Sequence, residues 1–323
     1  MRELTVSNTG GVFDTLPEAV VDLEDIRHHP DKTLWLDLIA PNEEDIRVLR
    51  EEFRFHPLAI EDVVRGHQRP KVDSYPDYYF VVFYILGVTE PGGEIRTEPL
   101  YLFIGRNYLV TIHAEPIPQI RETLRRWRAP DAALGQDVGA LIYALLDAIV
   151  DDYFPVMDDV ADRVDDLEEH IFERFDEGAL TKIFNLKKEL LQMRRVVAPE
   201  RDVLNVMLRR DIRVFGNDDV TYLQDVYDHI VRVIDSLDTY RDLLSSALDS
   251  FLSMQSNRLN QVVKALTITS IILMSATLVA GVYGMNFEYM PELTWRYGYA
   301  WALGLMVAVS GGLVLWFRHI KWL

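Results

Sequence analysis

The sequence contains no cysteine. That excludes disulfides, thiolate metal sites and thiol redox chemistry. Soft-ligand routes to zinc or copper are weakened with it, leaving histidine and carboxylate as metal ligands. The eight histidines show no H-x-x-x-H or H-E-x-x-H spacing, so a catalytic zinc centre of that kind is excluded; His56 and His67 read as structural. Neither G-x-x-x-x-G-K-[ST] nor a strand-linked G-x-G-x-x-G occurs, so there is no phosphate cradle for a nucleotide. No nucleophile motif marks an enzyme. Basic charge is scarce as well. Thirty-three Lys and Arg stand against 51 Asp and Glu, a net charge of −18, which is the wrong sign for a nucleic-acid partner. An apolar leader is also missing, since Met1–Gly10 is polar, and the soluble part of the chain is expected to stay in the cytoplasm.

Two stretches lack charge altogether: Ala265–Phe287 and Tyr297–Phe317. As helices at ~1.5 Å per residue each reaches about 32–35 Å, which matches a hydrocarbon core of roughly 30 Å. Arg258 and Lys264 precede the first run, and Arg318, His319 and Lys321 follow the second. The segment between them carries Glu288, Glu292 and Arg296. The positive-inside rule then puts both termini in the cytoplasm.

Upstream, residues 1 to about 130 mix strand and helix signals. Thr33–Leu38 reads as a strand, followed by the helix start Pro41-Asn42-Glu43-Glu44. Tyr78–Val88, aromatic and β-branched, reads as a buried strand. Leu100–Ile104 and Leu109–His113 read as paired strands around Gly105-Arg106-Asn107. From Gln136 the pattern turns helical. Met157, Val160, Val164, Leu167 and Ile171 alternate by three and four, a coiled-coil-like seam, on a helix crowded with acid from Asp158 to Glu169. Leu180–Leu208 is basic (Lys187, Lys188, Arg194, Arg195, Arg201). It is expected to pair with the acidic helix with some charge compensation, and Pro199 to bend or break it. A third seam, Leu223, Val226, Ile230, Val233, Leu237, Tyr240, Leu244, Ala247, Phe251 and Met254, meets no proline between Val220 and Tyr283. One continuous helix is predicted there, on the order of 95 Å long, running from the soluble body into the membrane.

The first span ends in Tyr283-Gly284-Met285-Asn286-Phe287-Glu288-Tyr289-Met290-Pro291-Glu292-Leu293. This stretch resembles the signature loop of the CorA family of magnesium and cobalt channels. Further residues share the likeness: His56-Pro57-Leu58-Ala59-Ile60-Glu61-Asp62, His67-Gln68-Arg69-Pro70-Lys71-Val72, Asp147–Phe154 and Asp225-Val226-Tyr227-Asp228-His229. The resemblance covers the chain from about residue 35. It implies an α+β cytoplasmic domain (1–135), a long coiled-coil-like helical stalk (136–264), a first transmembrane helix (265–287), an external loop (288–296), a second transmembrane helix (297–317) and a basic cytoplasmic tail (318–323). Five copies would form a funnel in the cell's inner membrane. Gly284, Met285 and Asn286 would be the selectivity filter. Asn260, Leu266, Met274 and Thr277 would line or gate the pore. Asp225, with Asp147 and Asp151, would belong to regulatory sites for cytoplasmic Mg²⁺. Where the family carries acids after its long strand this chain has Gly87-Val88-Thr89-Glu90, which makes Glu90 the candidate partner of Asp225. Mg²⁺, and Co²⁺ as a second ion, would be substrate and regulatory ligand, with no other cofactor.

The residues are compatible with that expectation. Mg²⁺ sheds water reluctantly, and the first span offers no carboxylate to strip it. A ring of Asn286 amides can accept hydrogen bonds from a hydrated ion. Asn260, Leu266, Met274 and Thr277 fall roughly on one helical stripe, whose apolar rings could dewet a closed pore. Alternatives remain open: a zinc transporter of the same wider family, or a membrane-tethered scaffold that conducts nothing. Asp147 and Asp151 could instead pair with Lys187 and Arg194.

Overall fold

A computed structural model describes residues 2–8, 13–15, 29, 32–66, 68–88, 92–128, 137–173, 177–209, 217–288 and 290–322. It divides into two compact units, Met1–Ala247 and Leu248–Leu323.

The first unit holds a seven-stranded sheet: β1 (Arg2–Asn8), β2 (Phe13–Thr15), β3 (Lys32–Ile39), β4 (Lys71–Ser74), β5 (Tyr78–Val88), β6 (Ile95–Gly105) and β7 (Tyr108–His113). The order is β2-β1-β3-β7-β6-β5-β4. Only β3 and β7 pair in parallel; the other neighbours are antiparallel. Period-two alternation divides the side chains between two faces. On one face, Leu34, Leu36 and Leu38 join Phe80, Phe103 and Val110 in a core closed by α1 (Glu43–Glu51) and α2 (Pro57–Arg65). Phe55 stacks on Phe103 at 4.0 Å within it. The other face carries Trp35, edge-on to Trp127 at 6.1 Å, beneath α3 (Pro118–Trp127) and α4 (Val138–Asp151).

Helix starts follow local chemistry. Asn42 caps α1 in a reciprocal capping box with Asp45, satisfying two otherwise orphaned N–H groups; Arg2 of β1 clamps Asp45 through Nε and Nη2 at 2.8 and 2.6 Å. His56 is structural, as expected: its Nδ1 accepts from Leu58 N–H at the start of α2. His67 lies outside the described residues. At Gly139, in the first turn of α4, a Cβ would sit 2.2 Å from the Asp219 carboxylate, so glycine lets that carboxylate lie against the helix.

Three longer helices complete the unit: α5 (Tyr153–Glu173), α6 (Glu177–Met207) and the first part of α7 (Asn217–Tyr283). The seam residues of α5 are buried, as are those of α7 from Leu223 to Leu237 together with Leu244, Ala247 and Phe251. The helix α7 is continuous, as its sequence predicts. Two features of α6 differ in part from expectation. Pro199 does not end it: the helix runs on to Met207, held by buried Val197, Glu200, Val203 and Leu204 on either side of the proline. The acidic and basic helices do not compensate in the expected sense. The described ion pair between them has the opposite polarity, Arg163 of α5 with Glu189 of α6 at 2.8 Å. The basic side chains of α6 turn to α7, Arg194 to Asp238 at 2.8 Å and Lys187 to Ser245 at 2.8 Å.

Glu200, 0% exposed, ties α6 to the sheet. Its Oε1 accepts from Tyr84 N–H of β5 at 2.8 Å. Tyr153 of α5 donates its hydroxyl to Tyr84 O at 2.6 Å and lies 3.2 Å from Glu200 Oε2. The hydroxyl has one hydrogen and gives it to Tyr84 O, so the Oε2 contact is satisfied when the carboxyl itself keeps a proton. Burial raises the Glu200 carboxyl well above the ordinary range, against the opposing pull of Tyr84 N–H and Tyr153.

The second unit comprises the rest of α7, a short α8 (Pro291–Thr294) and α9 (Gly298–His319).

Candidate functional site

In the second unit both long helices present apolar side chains that nothing among the described residues covers. Their most apolar stretches are only 6% and 11% buried. Leu266 is 66% and Met274 71% exposed. Bare apolar surface on this scale implies lipid or another protein copy, and aromatic belts mark where water would begin. Trp295 lies 6.3 Å from both Tyr297 and Trp301 at one end of α9. Trp316, Phe317 and Trp322 stack at the other, where Lys264 of α7 sits 5.9 Å over the Trp322 ring.

Between the two helices the chain turns through the predicted filter. The last helical turn tightens at Gly284, whose N–H reaches both Ala280 O (2.9 Å) and Gly281 O (3.2 Å). A Cβ there would stand 3.2 Å from Ala280 O. Asn286 follows, exposed. Below it, Met274, Thr277 and Met285 line one groove of ≈ 480 Å³ with Leu278, Gly281 and Val282. Asn260 and Leu266 are exposed further back on α7 and do not line that groove. Thr277 donates to Leu273 O at 2.8 Å, and Thr269 and Ser275 likewise bond the carbonyl four residues back. With the hydrogen committed, each hydroxyl offers its oxygen as an acceptor, which suits the O–H donors of a hydrated cation.

In the first unit a second constellation forms where α4 passes α7. Asp147, Asp151 and His229 bring one ligand atom each within 4.8 Å of one another. His229 Nδ1 is 3.3 Å from Asp151 Oδ1, and Nε2 is 4.0 Å from Asp225 Oδ2. The ring stands edge-on to Phe154 at 5.4 Å. Burial first, and then the Asp151 charge, raises the Asp147 carboxyl above its ordinary range, with Arg126 and His229 pulling the other way. Two carboxylates and one imidazole that converge in this way are suited to a divalent cation, and the fit has an independent sign: the buried His229 Nδ1 makes no aligned hydrogen bond, with Asp151 Oδ1 at 3.3 Å. Of the predicted acids, Asp147 and Asp151 converge with His229; Asp225 stands at the ring's other nitrogen, 4.0 Å from Nε2. The described ion pairs of Asp151 and Asp225 are with His229, whereas Lys187 and Arg194 bond to α7. Glu90 lies outside the described residues. His229 was not among the ligands expected from sequence, although its i,i+4 spacing from Asp225 was the available signal.

A mixed α/β body, one helix shared with an apolar C-terminal unit, and a second apolar helix define a membrane protein with two candidate spans at its C-terminal end. Residues 30–319 match the model of the CorA-like Mg²⁺ transporter protein family. A cobalt/magnesium transport protein CorA of Thermotoga maritima is 35% identical over 90% of this chain and 83% of that one. The complete structure of the CorA magnesium transporter from Methanocaldococcus jannaschii superposes with a TM-score of 0.86 at 25% identity, covering 100% of this chain and 99% of that one. A zinc transport protein ZntB of Cronobacter sakazakii is 22% identical over 97% of this chain and 93% of that one. The chain belongs to the CorA-like family. It is a divalent metal ion transporter rather than an enzyme.

Proposed function

We propose that this chain is the subunit of a homopentameric channel that carries Mg²⁺, with Co²⁺ as a second substrate, inward across the inner membrane, both termini lying in the cytoplasm. The observation that carries the reading is the exposed Asn286 at the end of a span with no acidic residue. Such a filter recognises an ion through its water shell. It suits Mg²⁺, which keeps several waters, and it releases the ion because nothing binds the bare metal. Gly284, Met285 and Asn286 form the filter, with Thr277 as a further acceptor below it. Met274 and Leu266 are apolar rings that dewet when the pore narrows, and Asn260 lies at the cytoplasmic mouth. A divalent ion gains roughly 4.6 kcal/mol per 100 mV, twice the ~2.3 kcal/mol per charge, so the channel needs a brake rather than a pump.

The brake is the cytoplasmic cluster. Mg²⁺ at Asp147, Asp151 and Asp225, completed between subunits by Glu90, offsets carboxylate repulsion and holds the closed state. Loss of the ion loosens the subunits. The His229 nitrogen favours a second reading, a zinc-carrying member of the family, because imidazole suits Zn²⁺ better than it suits Mg²⁺.

Flux into liposomes with a Mg²⁺-sensitive dye inside and a negative internal potential tests the proposal. Uptake that follows the potential, fades as internal Mg²⁺ rises and is lost in Asn286→Ala supports it. Zn²⁺ movement along a proton gradient without Mg²⁺ flux gives the zinc reading. Silence toward every ion leaves a non-conducting scaffold.

A further inference from the structure

The chain carries a net charge of −18, yet one end of the second unit is cationic without acids. Arg258 and Lys264 precede the uncharged run of α7, and Arg318, His319 and Lys321 follow that of α9. From Phe251 to Leu323 the acids are Glu288 and Glu292, both in the segment between the two runs. Lys264 and Arg318 are therefore the charges that border the runs at this end. The Lys264 ammonium, 5.9 Å over the Trp322 ring, shows that the two borders meet in space. Among the described residues no carboxylate pairs with Lys264, Arg318 or Lys321. The end is also packed. Phe317 is 1% exposed on a helix whose other faces are bare. Lys321 takes a left-handed backbone, φ 58°, a conformation that usually falls to glycine. The tail thereby folds back: Trp322 N–H donates to Phe317 O at 2.9 Å, and the two rings stack at 6.0 Å. This turn keeps Lys321 beside the last turn of α9 and the indole beneath the Lys264 ammonium.

Three chemistries meet here in the order a phospholipid presents them. Bare apolar helix suits acyl chains, the indoles of Trp316 and Trp322 suit the interface, and cations without counter-charge suit a phosphate. We infer that this end of α7 and α9 binds the headgroup of a negatively charged phospholipid. Its phosphate is held by Lys264 of α7 with Arg318 and Lys321 of the α9 end, and its acyl chains lie along the exposed apolar faces. A choline lipid gains little from these residues, because its own quaternary ammonium already neutralises its phosphate. The bound headgroup ties α7 to α9. The inference rests on the two-span reading above, and with both termini in the cytoplasm it assigns the lipid to the cytoplasmic leaflet.

The test is native mass spectrometry of the purified full-length protein in a neutral detergent, titrated with phosphatidylglycerol or with phosphatidylcholine of the same acyl chains. Wild type should prefer phosphatidylglycerol by roughly tenfold or more, from about fivefold for each basic residue at an anionic headgroup. Lys264→Gln/Lys321→Gln should weaken phosphatidylglycerol binding by about 25-fold on the same scale and lose the preference. Lys264→Arg/Lys321→Arg keeps the charge and should keep the preference. So should Lys182→Gln/Lys188→Gln, which removes two exposed lysines of α6 in the first unit. No preference in wild type, equal loss in both glutamine variants, loss in the arginine variant, or displacement of the lipid by inorganic phosphate would each overturn the assignment, the last by showing a site for a free anion. A Lys264→Gln/Lys321→Gln protein that keeps its lipids but forms smaller assemblies would also overturn it, by giving these cations to the acids of a neighbouring copy. Lipid counting needs no flux. Flux that fails with the preference intact sinks the channel reading alone, and a preference that fails with flux intact sinks this one alone.

Discussion

Replacing Glu200 by Gln keeps the shape and the acceptor for Tyr84 N–H, supplies an amide N–H toward Tyr153, and removes the titrating proton. In the folded chain this carboxyl is raised well above its ordinary value. In the unfolded chain it titrates near 4.3. Between those two values the folded protein holds a proton that the unfolded protein has released. The Glu200 contribution is therefore fully present below the unfolded value and falls as pH rises, by at most about 1.4 kcal/mol per pH unit. The glutamine variant has no such slope. From pH 5 to pH 7 the stability of Glu200→Gln relative to wild type should improve by up to about 2.7 kcal/mol, for as long as the folded carboxyl keeps its proton. In a unit of this size that corresponds to roughly 5–10 °C in Tm. The assay is the difference in Tm between variant and wild type at pH 5, 6 and 7, followed by intrinsic fluorescence of the full-length protein. A difference that stays flat across that range would mean that Glu200 is ionised in the folded state and that the proton-sharing arrangement with Tyr153 is wrong.

Tyr153→Phe removes the hydroxyl that donates to Tyr84 O at 2.6 Å and should cost roughly 1–3 kcal/mol, read as a lower Tm; no change would show the bond to be dispensable. Asp147→Asn should raise the internal Mg²⁺ concentration at half-closure by about 10-fold in the liposome assay, the lower range for disturbing a metal site; an unchanged midpoint would separate the cluster from regulation. Gly298→Ala places a Cβ 2.0 Å from Glu292 O, whereas Gly304→Ala meets nothing within 4 Å. The first should destabilise by roughly 1–3 kcal/mol of overpacking, seen as a lower Tm in detergent, and the second should not.

What could be read from sequence was whatever one segment decides alone. The aromatic, β-branched run Tyr78–Val88 is a strand in isolation as much as in place. Asn42 carries its cap partner three residues away. The absence of proline between Val220 and Tyr283 suffices for one helix, and the two uncharged runs for two apolar ones. What escaped depends on distant partners. Among its described side chains the strand β1 has only Leu4 and Val6 on its core side, and its identity comes from the whole register it makes with β3. Pro199 breaks a solvated helix, but here its neighbours Val197, Glu200 and Val203 are anchored in the core, and that packing outweighs the missing N–H. Charge patterning paired the right helices but misassigned the basic side chains, because it cannot say which faces meet: α5 and α6 join through Arg163 and Glu189, while Arg194 turns to Asp238 of α7. The approach of His229 to Asp151 joins residues on α4 and α7 far apart in the chain, so only folding sets it.

The strand β4 pairs with Tyr79–Val82 of β5, and among the described residues no strand flanks Phe83–Val88 on that side. At Tyr84 both outward-facing backbone groups are instead occupied by the side chains of Glu200 and Tyr153. A bare, apolar strand edge invites another chain to add to it and so begin aggregation. Two side chains on α5 and α6 occupy part of that edge, so strand addition there is discouraged.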